Sequence, residues 1–192
     1  ELKEVFYTIS KRGVIRATHF QLVKQQPKLV RCISGHVYDV IIDLRLDSPT
    51  FGKWQGFDLT GENQKTLYIP QFFGHGYLVL EDSVVSYKCG EVFYGEGDAG
   101  IMYNDLDMAI EWPFEKIGGI DNLIISEKDK SLMSLKEYLL GGLHVNHSLL
   151  LPINGIQKVV KILNELGLPM RQMVICYLIT LLLLKNLDQR FS

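Results

Sequence analysis

From about residue 5 to 112 the chain is a succession of short β-rich runs, each closed by a turn signal, and few folds accommodate that pattern. The runs read "VFYTI", "VIRATHF", "KLVRCIS", "HVYDVIIDLRL", "KWQGFDL", "TLYIP", "GYLVL", "VVSYKC" and "GIMY". Between them stand "SG", "DSPTFG", "TGENQ", "EDS" and "GEGDAG". β-Branched and aromatic residues suit a pleated, half-buried surface, while glycine, proline, asparagine and aspartate supply the backbone geometry of turns. Strands at this spacing predict a mainly β, antiparallel sandwich or barrel. Neither a βαβ alternation nor a glycine-rich phosphate loop is present.

After "EWP" at 111–113 the character changes. Residues 126–140, "SEKDKSLMSLKEYLL", have helical spacing, with Ser126 placed to cap the first turn. Beyond Gly141 and Gly142, "GGLHVNHS" reads as a loop, so His144 and His147 are taken as solvated. "NGIQKVVKILNELG" then sets Ile156, Val159, Val160 and Leu163 on one helical face and stops at Gly167 and Pro169. The run "MVICYLITLLLL" at 173–184 is apolar all round; as a helix it extends about 18 Å against roughly 30 Å of bilayer hydrocarbon, too short to span. A buried or interface helix, a membrane-associated element and a poorly ordered tail remain as readings. The expected organisation is a β domain over 1–125, a helix closing it over 126–140, and a helical extension over 141–192.

A chain of 192 residues with 47% hydrophobic content can bury a substantial core. Its net charge of −2 carries no nucleic-acid or basic membrane-surface footprint, so any anion site must be local. Cys32, Cys89 and Cys176 are odd in number, far apart and form no CxxC pair, which favours a reducing compartment over a disulfide framework or a zinc site. The opening "ELKEVFYTIS" has neither a basic n-region nor an apolar h-region, so a cytoplasmic location is expected.

Within "GVIRATHFQ" a histidine stands in a strand, where it can be a base, a ligand or a hydrogen-bonded core residue. Its neighbours decide. Read in order, "GVIRATHFQ", "KLVRCISGHVYDVIIDLRLDSPTFGKW", "LYIPQFFGHGYLVL", "YKC", "YNDLDMAIEWPF" and "ISEKD" resemble the dTDP-4-dehydrorhamnose 3,5-epimerase family over roughly residues 5 to 130. The resemblance implies a cupin-type jelly roll, usually a homodimer, acting on a dTDP-linked 4-keto-6-deoxyhexose without metal or organic cofactor. Metal-binding cupins carry an HxH pair with further ligands, whereas His19, His36 and His75 are isolated from one another. Sheet edges that need covering agree with a homodimer.

A ketone at C4 acidifies the C–H bonds at C3 and C5, so the chemistry asks for a base, a partner for the enolate oxygen and an acid. By resemblance His19 is the base, Lys28 stabilises the developing oxyanion, and Asp129 orients the His19 imidazole. Arg16 matches the arginine that contacts the diphosphate, and Gln21, His75 and Lys88 stand at further substrate-binding positions. Strict alternation would set Arg16 and His19 on opposite faces of a flat strand, so a bulge, a twist or a neighbouring subunit must reconcile them. The family acid is a tyrosine shortly before "YND". Counting back without gaps places Phe93 there, and a one-residue shift brings in Tyr94, which the glycines of "YGEGDAG" would turn inward through a bulge.

The expected function is therefore a nucleotide-sugar epimerase inverting C3, C5 or both in deoxysugar biosynthesis for surface polysaccharide. The alternatives are a catalytically silent jelly roll binding a sugar nucleotide or a partner enzyme, and a metal-dependent cupin. Three departures bear on the choice: "RATHFQ" replaces "RGLHFQ", Glu4 and Phe6 fall where the family has glutamine and asparagine, and the family's N-terminal strand segment has no counterpart in the sequence.

Overall fold

The computed structural model describes residues 1–145 apart from Asp47, with residues 141–145 described in backbone only. The helical readings at 154–167 and 173–184, Cys176 and His147 lie outside the described residues. The chain divides into two units, and the first, Glu1–Tyr138, carries the sheet and the candidate site.

Seven strands form it: β1 Glu4–Ser10, β2 Ile15–Gln21, β3 Lys28–Asp43, β4 Trp54–Thr60, β5 Thr66–Ile69, β6 Phe73–Cys89 and β7 Asp98–Ile101. They pair in the order β4-β3-β6-β2-β7, with β1 added to β6 and β5 to β3. Every pairing between these strands is antiparallel. The mainly β, antiparallel class expected from the sequence is what the chain adopts.

Two of the expected turns are absent. The "SG" and "EDS" signals predicted breaks, yet β3 and β6 run unbroken for 16 and 17 residues and pair with each other from Lys28↔Cys89 to Asp43↔Phe73. The punctuation appears instead as register shifts between Cys32 and Val37, where Gly35 takes φ +81°. A side chain at Gly35 would strike the Asp82 carbonyl 2.2 Å away, so this glycine lets two bent strands cross closely. The bend divides each strand into two halves. One half carries β1 and β5, and the other carries β4, β2 and β7.

Burial follows from that bend. Val30, Cys32, Ile69, Val85, Tyr87 and Cys89 from one half pack with Val37, Leu59, Tyr77 and Val79 from the other. The opposite face of the second half, with Val40, Ile42, Leu78 and Leu80, is covered by Ile101, Met108, Trp112, Ile117 and Leu135. Covered on both faces, residues 74–80 of β6 are continuously buried, which explains an apolar run without alternation.

The helix expected over 126–140 is broken. A short α1, Glu127–Lys130, is capped by the Ser126 hydroxyl, which accepts from the Asp129 N–H at 3.1 Å. The chain then extends so that the Met102 N–H donates to the Met133 carbonyl at 2.9 Å. Ser134 opens α2, Leu135–Val145, with a capping box: Glu137 N–H donates to the Ser134 hydroxyl and the Ser134 N–H to Glu137 Oε2. Residues 141–145, read as loop, continue this helix, so Gly141 and Gly142 do not end it.

Candidate active site

The site begins with a bulge in β2. Against β6, Ile15 pairs with Leu78 and Arg16 with Tyr77, but the next pair is His19 with His75. Three residues of β2 therefore span two of β6, and the extra residue brings Arg16 and His19 to one cavity. Of the three ways to reconcile them, the bulge is the one the fold uses. Gly76 stands opposite it; a Cβ there would lie 2.6 Å from the Arg16 carbonyl oxygen and 2.9 Å from Ala17 backbone atoms. Only glycine permits that approach.

The cavity holds about 390 Å³ and opens between the two halves of the sheet. On its wall, His19 Nε2 lies 2.9 Å from Asp129 Oδ1, and the second oxygen of Asp129 accepts the Ala17 N–H at 3.0 Å. A carboxylate only accepts, so the proton sits on Nε2 and the Nδ1 lone pair is left for chemistry. Burial works against the Asp129 charge, but the hydrogen bonds from His19 and Ala17 outweigh it and hold the carboxyl below its ordinary range. The Ser126 cap fixes this carboxylate at the start of α1. On the Nδ1 side, Asp98 Oδ1 is 4.0 Å away.

Lys28, at the start of β3, also lines the cavity. Burial pushes its ammonium below the usual lysine value, opposed in order by Cys89, Asp98, Asp39 and Glu4. No carboxylate among the described residues lies within ion-pair distance of it, so its donors are available to a developing anion. His75 Nε2 donates to Asp39 Oδ2 at 2.8 Å, and both side chains are buried. Desolvation pushes the Asp39 carboxyl up, with His75 and then Lys28 pulling it back.

Two phenols complete the floor. Tyr77 and Tyr87 both line the cavity, and the Tyr77 hydroxyl lies 3.0 Å from Thr8 Oγ1. Phe6 stacks on Tyr87 with ring centroids 4.5 Å apart. Burial first, and Tyr77 next, raise the Tyr87 phenol well above the ordinary tyrosine range, so it stays protonated.

His19, Lys28, Asp129, Arg16, Gln21 and His75 are thus brought together, whereas Tyr94 and Lys88 are not. Tyr94 does not face the cavity: its hydroxyl donates to Glu96 and its ring lies under Lys24. Phe93 lines the mouth in its place, because Glu4 holds the Phe93 N–H at 3.1 Å and Gln21 the Tyr94 N–H at 2.7 Å. The inward turn expected from the "YGEGDAG" glycines is absent. Gln21 reaches the cavity, but its carboxamide is engaged by the Tyr94 N–H and the Lys24 carbonyl. Lys88 is exposed on the outer face of β6, since Tyr87 and Cys89 take the inward positions. Tyr87, not among the site residues expected from the sequence, was findable from that period-two alternation in "VSYKC". Asp39, a lone carboxylate in "HVYDVII", was findable too, because such a residue needs a buried partner. Among the described residues no group of three or more His, Cys, Asp or Glu is gathered to hold a metal ion.

A family model described as dTDP-4-dehydrorhamnose 3,5-epimerase matches residues 1–137. The chain belongs to that family. The dTDP-4-dehydrorhamnose 3,5-epimerase of Methanothermobacter thermautotrophicus is 47% identical over 131 residues, covering 68% of this chain and 69% of the relative. Among solved structures, dTDP-6-deoxy-D-glucose-3,5-epimerase from Legionella pneumophila, in complex with dTDP-4-keto-L-rhamnose, superposes with a TM-score of 0.66 at 37% identity, covering 70% of each chain. ChmJ, a 3'-monoepimerase from Streptomyces bikiniensis in complex with dTDP-quinovose, has a TM-score of 0.67 at 27% identity, covering 74% of this chain and 70% of that one. One of these structural neighbours is thus a monoepimerase.

Proposed function

We propose that this chain is an isomerase that inverts C3, C5 or both of a dTDP-4-keto-6-deoxyhexose in deoxysugar biosynthesis for surface polysaccharide. The observation that carries the reading is the convergence on one cavity of an Asp129-oriented imidazole, a half-buried lysine with no carboxylate partner among the described residues, and a protonated phenol. His19 Nδ1 takes the proton from the carbon beside the ketone, and the C–H electrons pass into the carbonyl to give an enolate. Lys28 donates to the enolate oxygen where charge develops. Tyr87 returns a proton to carbon, replacing Tyr94 in that role, and return to the opposite face inverts the centre. Arg16, exposed at the rim, suits the diphosphate through its planar guanidinium.

Conversion of dTDP-4-keto-6-deoxyglucose followed by NMR tests this. The expected result is inversion at one or both carbons, with Tyr87→Phe exchanging the proton slowly but losing most inversion. A Tyr87→Phe enzyme that inverts at the wild-type rate would return the acid to another group. No turnover of any 4-keto-6-deoxy nucleotide sugar would leave the silent-binder alternative.

The same reading includes a homodimer and a cytoplasmic location. Val5, Tyr7 and Ile9 of β1 expose an apolar row, with Leu29 and Ile33 of β3 and Tyr68 of β5 also exposed. Such a sheet face is in keeping with a second copy covering it. Sedimentation tests it: Ile9→Lys is expected to shift a dimer toward monomer. Cys32 and Cys89 are free thiols, in keeping with a reducing compartment, and among the described residues no helix is long and apolar enough to cross a membrane.

A further inference from the structure

His19 meets a second carboxylate that the proton-transfer scheme does not use. Asp98 opens β7, where it pairs with Gln21, two residues before Gly100 pairs with His19. Its Oδ1 lies 4.0 Å from His19 Nδ1, while Asp129 holds Nε2 at 2.9 Å. The other Asp98 oxygen is taken by the Lys128 ammonium, and Lys128 is the residue beside Asp129 on α1. The Asp98 side chain is only 10% exposed whereas that of Lys128 is 61% exposed. Water therefore screens the lysine more than the carboxylate, so of this pair it is the carboxylate whose charge acts more strongly on the Nδ1 side of the imidazole.

We propose that Asp98 is a positioning residue of the reaction: a second carboxylate, its charge metered by Lys128, that stabilises the imidazolium formed when His19 takes the substrate proton. This rests on the reading of His19 as the base. At 4.0 Å Asp98 is too far to share a proton with Nδ1, so it acts by charge through space and leaves the Nδ1 lone pair free to meet the substrate. Other charged or titratable groups face the same space: Arg16 from β2, Lys28 from β3, His75, Tyr77 and Tyr87 from β6, and Lys128 and Asp129 from α1. Among the described residues only Asp98 and Asp129 bring a carboxylate oxygen within 4.0 Å of a His19 ring nitrogen.

The sign of the effect separates this role from a structural one. Removing the anion disfavours the imidazolium, and removing the cation favours it, so the two partners of one ion pair must act in opposite directions. The test follows the His19 imidazole C–H resonances by NMR titration of the full chain without substrate, and the acid limb of kcat/KM with it. Asp98→Asn is expected to move both to lower pH by about one unit, and Lys128→Gln to move both to higher pH by about half a unit. Asp98→Glu is expected to keep the wild-type profile. Midpoints that stay put in both variants, or move the same way, would overturn the proposal. Lys128 is 61% exposed at the cavity rim, so Lys128→Gln, read in the substrate-free titration, carries the sign even where Asp98→Asn folds poorly. Because the NMR titration needs no turnover, failure of the base reading, seen as wild-type activity in His19→Ala, is distinguishable from failure of this one.

Discussion

Asp129→Asn isolates the partnership at the centre of the site. Asp129 accepts with both oxygens, from His19 Nε2 at 2.9 Å and from the Ala17 N–H at 3.0 Å. Asparagine offers one acceptor. If its carbonyl keeps Ala17, its NH2 faces Nε2 and forces the ring proton onto Nδ1, removing the lone pair that takes the substrate proton. If the carbonyl faces Nε2 instead, the NH2 meets the Ala17 N–H donor to donor. A hydrogen bond to a charged acceptor contributes about 1.5–3 kcal/mol, or roughly 10- to 150-fold in rate. A wrong tautomer extends the loss, and the same change in a Ser-His-Asp triad costs about 10⁴. The expected fall in kcat/KM is about 10²- to 10⁴-fold, measured by NMR conversion of dTDP-4-keto-6-deoxyglucose, with a stability cost of only about 1 kcal/mol by urea unfolding. Two residues acting as a unit are not additive, so Asp129→Asn on a His19→Ala background is expected to slow the enzyme no further. An Asp129→Asn rate within about threefold of wild type, or an additive double variant, would refute the reasoning.

Three further outcomes are expected. Burial holds the Lys28 ammonium below its reference value of 10.5, so the charged form is lost as pH rises through that lowered value; the alkaline limb of kcat/KM should fall earlier than an ordinary lysine allows and should vanish in Lys28→Met, whose rate drops at least about 100-fold. Gly76→Ala forces a Cβ against Arg16 and Ala17 backbone, so urea unfolding should show a loss of about 1–3 kcal/mol together with reduced activity, because the bulge that aims His19 must shift. Asp43, buried, accepts from Arg45 at 2.9 and 2.7 Å and from Ser48 and Thr50 at 2.6 Å, and Arg45 foremost holds it far below the carboxylate range. Its contribution is full above the reference value of 3.8 and is lost as pH falls below it, so Asp43→Asn should cost about 2–3 kcal/mol at pH 7, with the gap closing in acid.

Strand chemistry was legible wherever local periodicity and burial agree. β1, β2, β4 and β5 form where the runs of β-branched and aromatic residues stand. The long β3 and β6 were read as pairs of strands because "SG" and "EDS" carry turn chemistry, and only the crossing partner converts a turn into a bulge. In the same way Ser134 reads as one polar residue in a helical stretch, and it becomes a second N-cap because Met133 is needed beside Ile101. His19, Lys28 and Asp129 come from sequence positions up to 110 residues apart, and their meeting was readable through the order of several motifs rather than through spacing. Tyr94 failed because its direction depends on which backbone N–H groups Glu4 and Gln21 hold, a tertiary fact invisible in "VFYGEG". Tyr87 needed no tertiary knowledge: with Val85 and Cys89 it keeps the inward alternation that leaves Lys88 outside.

The most direct test of the central claim is solvent deuterium incorporation at C3 and C5 of dTDP-4-keto-6-deoxyglucose, followed by NMR with wild type and His19→Ala side by side. Exchange at one or both carbons that disappears in His19→Ala is the expected result, and it also reports which centre the enzyme addresses. Exchange that persists undiminished in His19→Ala would contradict the assignment of the base.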